Sequence, residues 1–575
     1  MDDLVEQTID RYFDVFDYIV FGVMLIVSAL IGVYFAFFAK VKQDTTSEYL
    51  MGGKTMGIFP ISMSLIASYI SGISMLGIPA EIYTYGTQFW MIITSEGLVS
   101  ITMAVAYLPV FYKLQITSSY EYLNLRFNQT VRLLGSTLFL LKMLLYIPIV
   151  IYVPALAFSQ VTGIHLHLVT PVVCIVCIFY TTLGGLKAVV WTDTVQTLVM
   201  FCALVCVAGM GTINAGGFTK VWNTNNEGGR IDFFNFNWDP TIRHTFWTVS
   251  IGNYFGWLAS CSINQAMVQR CLAMPTLRKA NITVGILVVG IMALVSMCCF
   301  MGLLIYATYH KCDPITRGAI TKSDQLLPYF VMHIAGSMPG LPGLFVSGVF
   351  SAALSSMSTG LNSMTGVIFE DLIKPNVKKP LSEAYASLLM KTIVVIIGTI
   401  CVGLVFVVEK MGALIQASGS LAAITAGPLL GIFTLGMFFP FVNHWGALSG
   451  GLVSGGLIAW ISIGTQMQMA KNLIQFPQKP VSVEGCNPNW VMEYLSLTLH
   501  PDAKPKLDPP FFLYRISYMY YTALGCITAI TIGIIVSLLT GGNKNKIVDK
   551  NLFSPVIHRF IKGNVLNNEI KLNEL

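Results

Sequence analysis

Three stretches of this chain hold residues able to strip water from a small cation. The first reads Ser62-Met-Ser-Leu-Ile-Ala67-Ser68-Tyr69-Ile70-Ser71-Gly72-Ile-Ser74-Met-Leu-Gly77-Ile-Pro79-Ala-Glu81. Small hydroxylated residues, two glycines and a proline are a poor recipe for an unbroken helix. The second, Gly252-Asn253-Tyr-Phe-Gly256-Trp257-Leu-Ala-Ser260-Cys261-Ser262-Ile-Asn264-Gln265, has the same character. The third runs Ser351-Ala352-Ala353-Leu354-Ser355-Ser356-Met-Ser358-Thr359-Gly360-Leu-Asn362-Ser363. Where a buried helix unwinds, its carbonyls lose their partners. With nearby hydroxyls they are neutral hard oxygens that replace the hydration shell of an alkali ion. The plainer alternative is that small residues only let helices pack closely.

Charged residues in apolar surroundings are the other candidates. Asp193 follows Gly184-Gly185-Leu-Lys187-Ala-Val-Val-Trp191-Thr192, just inside an apolar run, where an acid either serves function or complements a helix start. Glu96 and Lys142 lie deeper in two further runs. They could pair with each other, or each could face a wet cavity. The chain carries no His/Cys metal cluster, nucleophile elbow or phosphate loop, so no enzyme is expected. Basic residues never interleave with aromatics in a stripe, which argues against a nucleic-acid partner.

The elements that must position these residues are set by hydropathy. Of 575 residues, 55% are hydrophobic and 11% charged, with mean hydropathy +0.69. Soluble domains carry roughly 25% charged residues, so this chain lacks the polar surface to cover itself in water. An all-α, multi-spanning membrane protein is expected, with membrane lipid as a partner. Thirteen apolar runs are long enough to cross: 16–38, 57–80, 88–112, 134–159, 165–183, 188–211, 244–264, 280–308, 341–366, 389–409, 412–438, 446–466 and 516–540. The three cation-binding candidates fall in spans two, seven and nine. Spans two and seven lie five apart, as matching first helices of two five-helix repeats would.

The acidic start of the chain is not expected to be a cleaved signal. Lysine and arginine counts place the N-terminus outside and the C-terminus inside, with Lys40, Lys42, Lys54, Lys113, Arg126, Arg132, Lys187, Arg270, Arg278, Lys279, Lys374, Lys378, Lys379 and the tail lysines counted as inner. The sequons at Asn128 and Asn281 then fall inside or at a span start, unglycosylated. The tail, 542–575, is polar and expected to be loosely ordered. Most of the twelve cysteines are apolar fillers. Cys312 and Cys486 fall in outer loops, where a disulfide is open to them.

The ordered strings Gly-Ile-Pro79-Ala-Glu81-Ile-Tyr83-Thr-Tyr-Gly86, Thr117-Ser-Ser-Tyr120-Glu121-Tyr122-Leu-Asn-Leu-Arg126, Gly184-Gly185-Leu-Lys-Ala-Val-Val-Trp-Thr-Asp193, Arg243-His244-Thr-Phe-Trp247-Thr, Asn264-Gln265-Ala-Met-Val-Gln269-Arg270, Met338-Pro-Gly-Leu-Pro342 and Phe369-Glu370-Asp371 resemble the sodium:solute symporter family. Within it, the similarity is to the sodium-coupled monocarboxylate, multivitamin and iodide transporters. The resemblance implies a five-plus-five inverted-repeat core of the leucine-transporter type with extra helices. The expected organisation is an outer N-terminus with span one (1–56), the two repeats (57–211 and 244–440) with an outer loop between (212–243), two added spans (441–541) and an inner tail (542–575).

The resemblance also implies a sodium site made by the carbonyls of Ala67, Ile70 and Ala352 and the hydroxyls of Ser355 and Ser356, with Asp193 affecting coupling. It places a second sodium near Ser71, Ser74 and Tyr146. It places substrate against Tyr69, Ser74, Tyr146, Trp257, Cys261, Gln265 and Gln416. Ser74 stands where iodide-carrying relatives have glutamine, which argues against iodide. Glu96 stands at a position that is uncharged in the subgroup and would repel an anion unless protonated or turned away. The expected function is sodium-coupled import of a small organic anion, a monocarboxylate first, across the plasma membrane. A biotin- or pantothenate-like vitamin is the alternative, then a neutral or cationic metabolite if Glu96 lines the site, or a non-transporting sodium-gated sensor. No cofactor is expected beyond sodium as coupling ion.

Overall fold

The computed structural model describes residues 13–39, 45–378, 381–408, 414–471, 473–486, 510–543, 548–561 and 565–566, with backbone alone at 414–417, 548 and 565–566. Apart from a two-residue parallel strand pair, Val548–Asp549 with Val565–Leu566, the described residues build helices and loops. Among the described residues, ten helices are long and apolar enough to cross a membrane unaided. One of these, Leu166–Asn214, has 49 residues. At 1.5 Å per residue it would reach about 74 Å, more than twice a hydrocarbon core. It turns at Gly185 (φ 53°, ψ −151°), where a Cβ would lie 2.9 Å from the Tyr49 carbonyl oxygen. Only glycine fits that corner. The two halves are spans five and six. With spans two and seven, which are interrupted, thirteen segments among the described residues lie within a few residues of the thirteen apolar runs.

Span two consists of Ile58–Tyr69 and Gly72–Tyr85. Between them Ile70 (φ −90°, ψ 98°) and Ser71 (φ −88°, ψ 168°) are extended. The backbone ladder ends with Ile70 N donating to the Ile66 carbonyl and resumes with Met75 N donating to the Ser71 carbonyl. The carbonyls of residues 67–70 are thereby released from the helix. Span seven covers 248–263 and breaks at Asn264 (φ −67°, ψ 129°). The Asn264 side chain accepts from Ala266 N and starts the second half, Gln265–Leu272.

Span nine departs from expectation. Despite its serines and glycine, Leu341–Val367 is one continuous helix that runs on in wider π turns to Ile373. Several of its hydroxyls bond within the helix: Ser356 donates to the Ala352 carbonyl (3.0 Å), Ser358 to Ser355 (3.1 Å) and Ser363 to Thr359 (2.8 Å), while those of Ser355 and Thr359 meet Ser68 of span two. Its small residues admit neighbours. A Cβ on Gly348 would meet Ala203 at 2.8 Å, and one on Gly360 would meet Ile147 at 2.6 Å. The most apolar part of Leu341–Asn376 is 94% buried, against 22% for Val15–Phe38. Span nine is the axle of the bundle, and span one faces lipid.

Three arginines counted as inner-loop charges are interior residues. Arg126 donates to the carbonyls of Gly436, Phe439, Pro440 and Val442. Arg132 pairs with Asp371 at 2.6 Å, and Arg270 is 1% exposed. They bear on packing and not on orientation. Lys40, Lys42, Lys379 and Lys544 lie outside the described residues. Part of the tail is docked, where a loose segment was expected. Leu552 and Phe553 are buried, Tyr122 donates to the Leu552 carbonyl, and Ser554 N donates to the Met437 carbonyl.

Candidate functional site

A cavity of about 280 Å³ opens where the interrupted halves of spans two and seven face spans four, nine, eleven and thirteen. Ser68, Tyr69, Lys142, Tyr146, Trp257 and Thr359 are among its walls. Tyr69 ties the two broken helices together by donating to the Ser260 carbonyl, and its ring lies 5.7 Å from that of Trp257.

One end of the cavity is a dense polar knot centred on Ser68, at the last turn before the break. Ser68 Oγ donates to the Ser64 carbonyl (2.8 Å) and lies 3.2 Å from Ser355 Oγ and 2.9 Å from Thr359 Oγ1. Ser356 Oγ is 3.3 Å from the Ser68 carbonyl oxygen. Hydroxyls of span nine thus meet the released carbonyls of span two. This is a set of neutral oxygens suited to a small hard cation.

Arg270 enters the same knot. It donates to Ser68 Oγ (2.8 Å), to Asp193 Oδ2 (2.9 Å) and to Thr359 Oγ1. Ser64 also donates to Asp193 Oδ2, at 2.6 Å, and Asp193 Oδ1 has no partner among the described residues. The guanidinium and carboxylate cancel, so an entering cation meets oxygens beside a neutral pair.

A model of the sodium:solute symporter family matches residues 49–454. The chain belongs to that family.

It is a sodium-coupled symporter of small organic solutes, and its relatives agree along most of their length. Sodium-coupled monocarboxylate transporter 1 of Xenopus laevis is 42% identical over 546 residues, 93% of this chain and 87% of the relative. Sodium-coupled monocarboxylate transporter 2 of Mus musculus is 40% identical, covering 96% and 88%. The sodium-dependent multivitamin transporter of Oryctolagus cuniculus is 39% identical, covering 96% and 87%. Among solved structures, a Na+-coupled sialic acid symporter in its substrate-bound outward-open state superposes with TM-score 0.73 at 23% identity, over 92% of this chain and 98% of the other. Mhp1, a nucleobase-cation-symport-1 family transporter, gives 0.53 at 13% identity over 86% and 95%. Both establish the fold, an inverted-repeat symporter core.

In this symporter the residues singled out from sequence fall into three groups. Ser355, Ser356 and Asp193 meet in the polar knot, Ala67 and Ile70 flank Ser68 and Tyr69 at the end of the same half of span two, and Ser71 is buried at the break itself. The Ala352 carbonyl is there too, one helical turn from Ser356, whose hydroxyl it accepts. Tyr69, Tyr146 and Trp257 line the cavity.

The rest are elsewhere. Cys261 and Glu96 line a separate pocket of about 10 Å³ behind Trp257. Gln265 is turned away from the cavity: its Oε1 accepts from Ser119 N (2.7 Å) and its Nε2 donates to the Thr117 carbonyl (2.9 Å). Ser74 lies in the first turn after the break and is not on the cavity wall. The Gln416 side chain is outside the described residues. Cys312 and Cys486 are joined by a disulfide with Cα atoms 5.0 Å apart.

Sequence reasoning passed over Ser64, Ser68, Thr359 and Arg270. Ser68 and Thr359 were inside the stretches already singled out. Arg270 was counted as a loop charge, although it sits five residues after Gln265 in a family-matching string. A base at that position, so close to a broken span, was the signal available.

Proposed function

We propose that this symporter imports a small monocarboxylate with sodium by alternating access. The carrying observation is the cavity itself: about 280 Å³, with lysine and arginine but, among the described residues, no carboxylate on its wall, and bordered by the hydroxyl and carbonyl knot. Its size is just under the usual range of ligand sites and holds a small organic acid. The monocarboxylate transporters among the relatives point the same way.

Sodium is bound by the released carbonyls of Ala67 and Ile70, the Ala352 carbonyl and the hydroxyls of Ser355 and Ser356. It bridges spans two and nine and favours the outward-facing shape, in which the solute site is complete. Differential sodium affinity between the two shapes couples the fluxes. Ser71 and Tyr146, with Ser74 nearby, are the candidates for a second sodium. A unit charge crossing 100 mV gains roughly 2.3 kcal/mol, so voltage drives uptake of a monoanion only if more than one sodium accompanies it.

The two repeats are taken as 57–211 and 244–440; interruption of the first span of each supports this. An N-terminus outside and a C-terminus inside, at the plasma membrane, put the Cys312–Cys486 bridge on the oxidising face, where disulfides persist.

The test is sodium-dependent uptake and current in oocytes over lactate, nicotinate, pantothenate, biotin, iodide and choline. A Ser355→Ala/Ser356→Ala double variant should raise the sodium concentration for half-maximal uptake about tenfold or more, the scale of a lost hydroxyl ligand pair. Unchanged sodium dependence in that variant removes the assigned site. Current without accumulation identifies a sensor, and preference for pantothenate or biotin identifies a vitamin carrier.

A further inference from the structure

The cavity wall carries two cations, and only one of them is already matched. Arg270 is held by Asp193, Ser68 and Thr359. Lys142 stands on span four, one helical turn before Tyr146, and lines the same cavity. Among the described residues its ammonium has neither a salt bridge nor a hydrogen bond. The pairing with Glu96 that the sequence left open is not made. Glu96 lines the small pocket shared with Trp257 and Cys261, and both its carboxylate oxygens are without a partner among the described residues.

An ammonium at membrane depth is expensive unless it faces a counter-charge or water. Here it faces a cavity with no acid among the described residues of its wall. The same wall combines Met143, Trp257 and Gly360 with the polar side chains of Tyr146, Asn253 and Asn264, apolar surface with polar groups that can orient a small organic solute.

We propose that Lys142 receives the carboxylate of the transported acid, so that the substrate supplies the counter-charge that the protein omits. This rests on the monocarboxylate reading above and adds the residue that selects for charge. The carboxylate bonds to the Lys142 ammonium, while the acid's short carbon chain lies toward Trp257 and Met143. Glu96, kept behind Trp257, is shielded from the anion and does not compete for the ammonium. Lysine also suits the task because its three donors rotate, so acids of different shape are accepted at one point charge.

The experiment compares each acid with its uncharged amide, at constant chloride, as competitors of labelled uptake. Lactate is set against lactamide and nicotinate against nicotinamide. Wild-type protein should prefer the acid at least tenfold, and Lys142→Gln should erase that preference by raising the KM for the acid about tenfold or more. Lys142→Arg should restore part of it, and sodium half-saturation at saturating substrate should stay within about twofold of wild type, since the knot is untouched. Surface biotinylation normalises each value. If Lys142→Gln does not reach the surface, the acid-to-amide ratio of Lys142→Arg and wild type is read instead. Equal competition by acid and amide in wild type, or an unchanged KM in Lys142→Gln, overturns the inference while leaving monocarboxylate transport standing. Absence of sodium-dependent uptake of any carboxylate by wild type removes both.

Discussion

On the cavity wall the Arg270 guanidinium is engaged by a carboxylate and two hydroxyls; the Lys142 ammonium on the same wall has no salt bridge or hydrogen bond among the described residues. Both are cations inside a bilayer, so both need compensation. The difference lies in who provides it. Arg270 is compensated in every state of the transport cycle in which Asp193 stays beside it, and its planar fork holds Ser68 and Thr359 in register across spans two and nine. Lys142 is compensated only when a ligand is present. A symporter needs both kinds of charge, one to hold the frame of the ion site and one to tell a loaded cavity from an empty one.

The largest effect is expected where a committed charge loses its partner. Asp193→Ala strands a buried guanidinium and should cost about 3–5 kcal/mol, read as a collapse of monodisperse protein in detergent and of surface expression. A variant as stable as wild type would mean that the Arg270–Asp193 pair holds no frame. Next in size is Ser68→Ala. It removes the hydroxyl on which Ser64, Ser355, Thr359 and Arg270 converge, for about 1–3 kcal/mol. It should weaken sodium dependence more than it changes the acid-to-amide ratio. The opposite pattern would show that the two ends of the cavity are not separable. Smallest is Tyr69→Phe, which loses one hydrogen bond to the Ser260 carbonyl, about 0.5–1.5 kcal/mol. Because that bond ties the two broken helices together, the effect should appear as a modest fall in thermal stability with sodium half-saturation nearly unchanged.

Much of the frame was readable before any coordinates. The runs of span length in a chain with 11% charged residues leave helices crossing a bilayer as the main option. The interruptions near Ser71 and Asn264 were foreshadowed by hydroxyls, glycines and a proline that make an unbroken helix costly. Span nine was misread by the same logic. Three of its serines find carbonyls on their own helix, and its small residues are used for close approach to spans four and six. Composition announces that a helix can break or pack closely; it does not choose.

Burial of charge was the less legible part. Arg126, Arg132 and Arg270 read as loop bases because local sequence shows only which residues flank them. Their partners are at Gly436, Asp371 and Asp193. Glu96 and Lys142, open to pairing on paper, are divided by Trp257 and Cys261.

By itself, then, the sequence determined that this protein lives in a membrane, roughly where it crosses, which backbone segments are weak enough to expose oxygen, and to which family it belongs. These follow from the local cost of helix formation and from the gross cost of placing charge in hydrocarbon. Only the tertiary structure decided which weak segment opens, which arginines are interior, and which of two cations is left for a ligand. Pairing depends on contacts between residues far apart in the chain, and no local pattern encodes that distance.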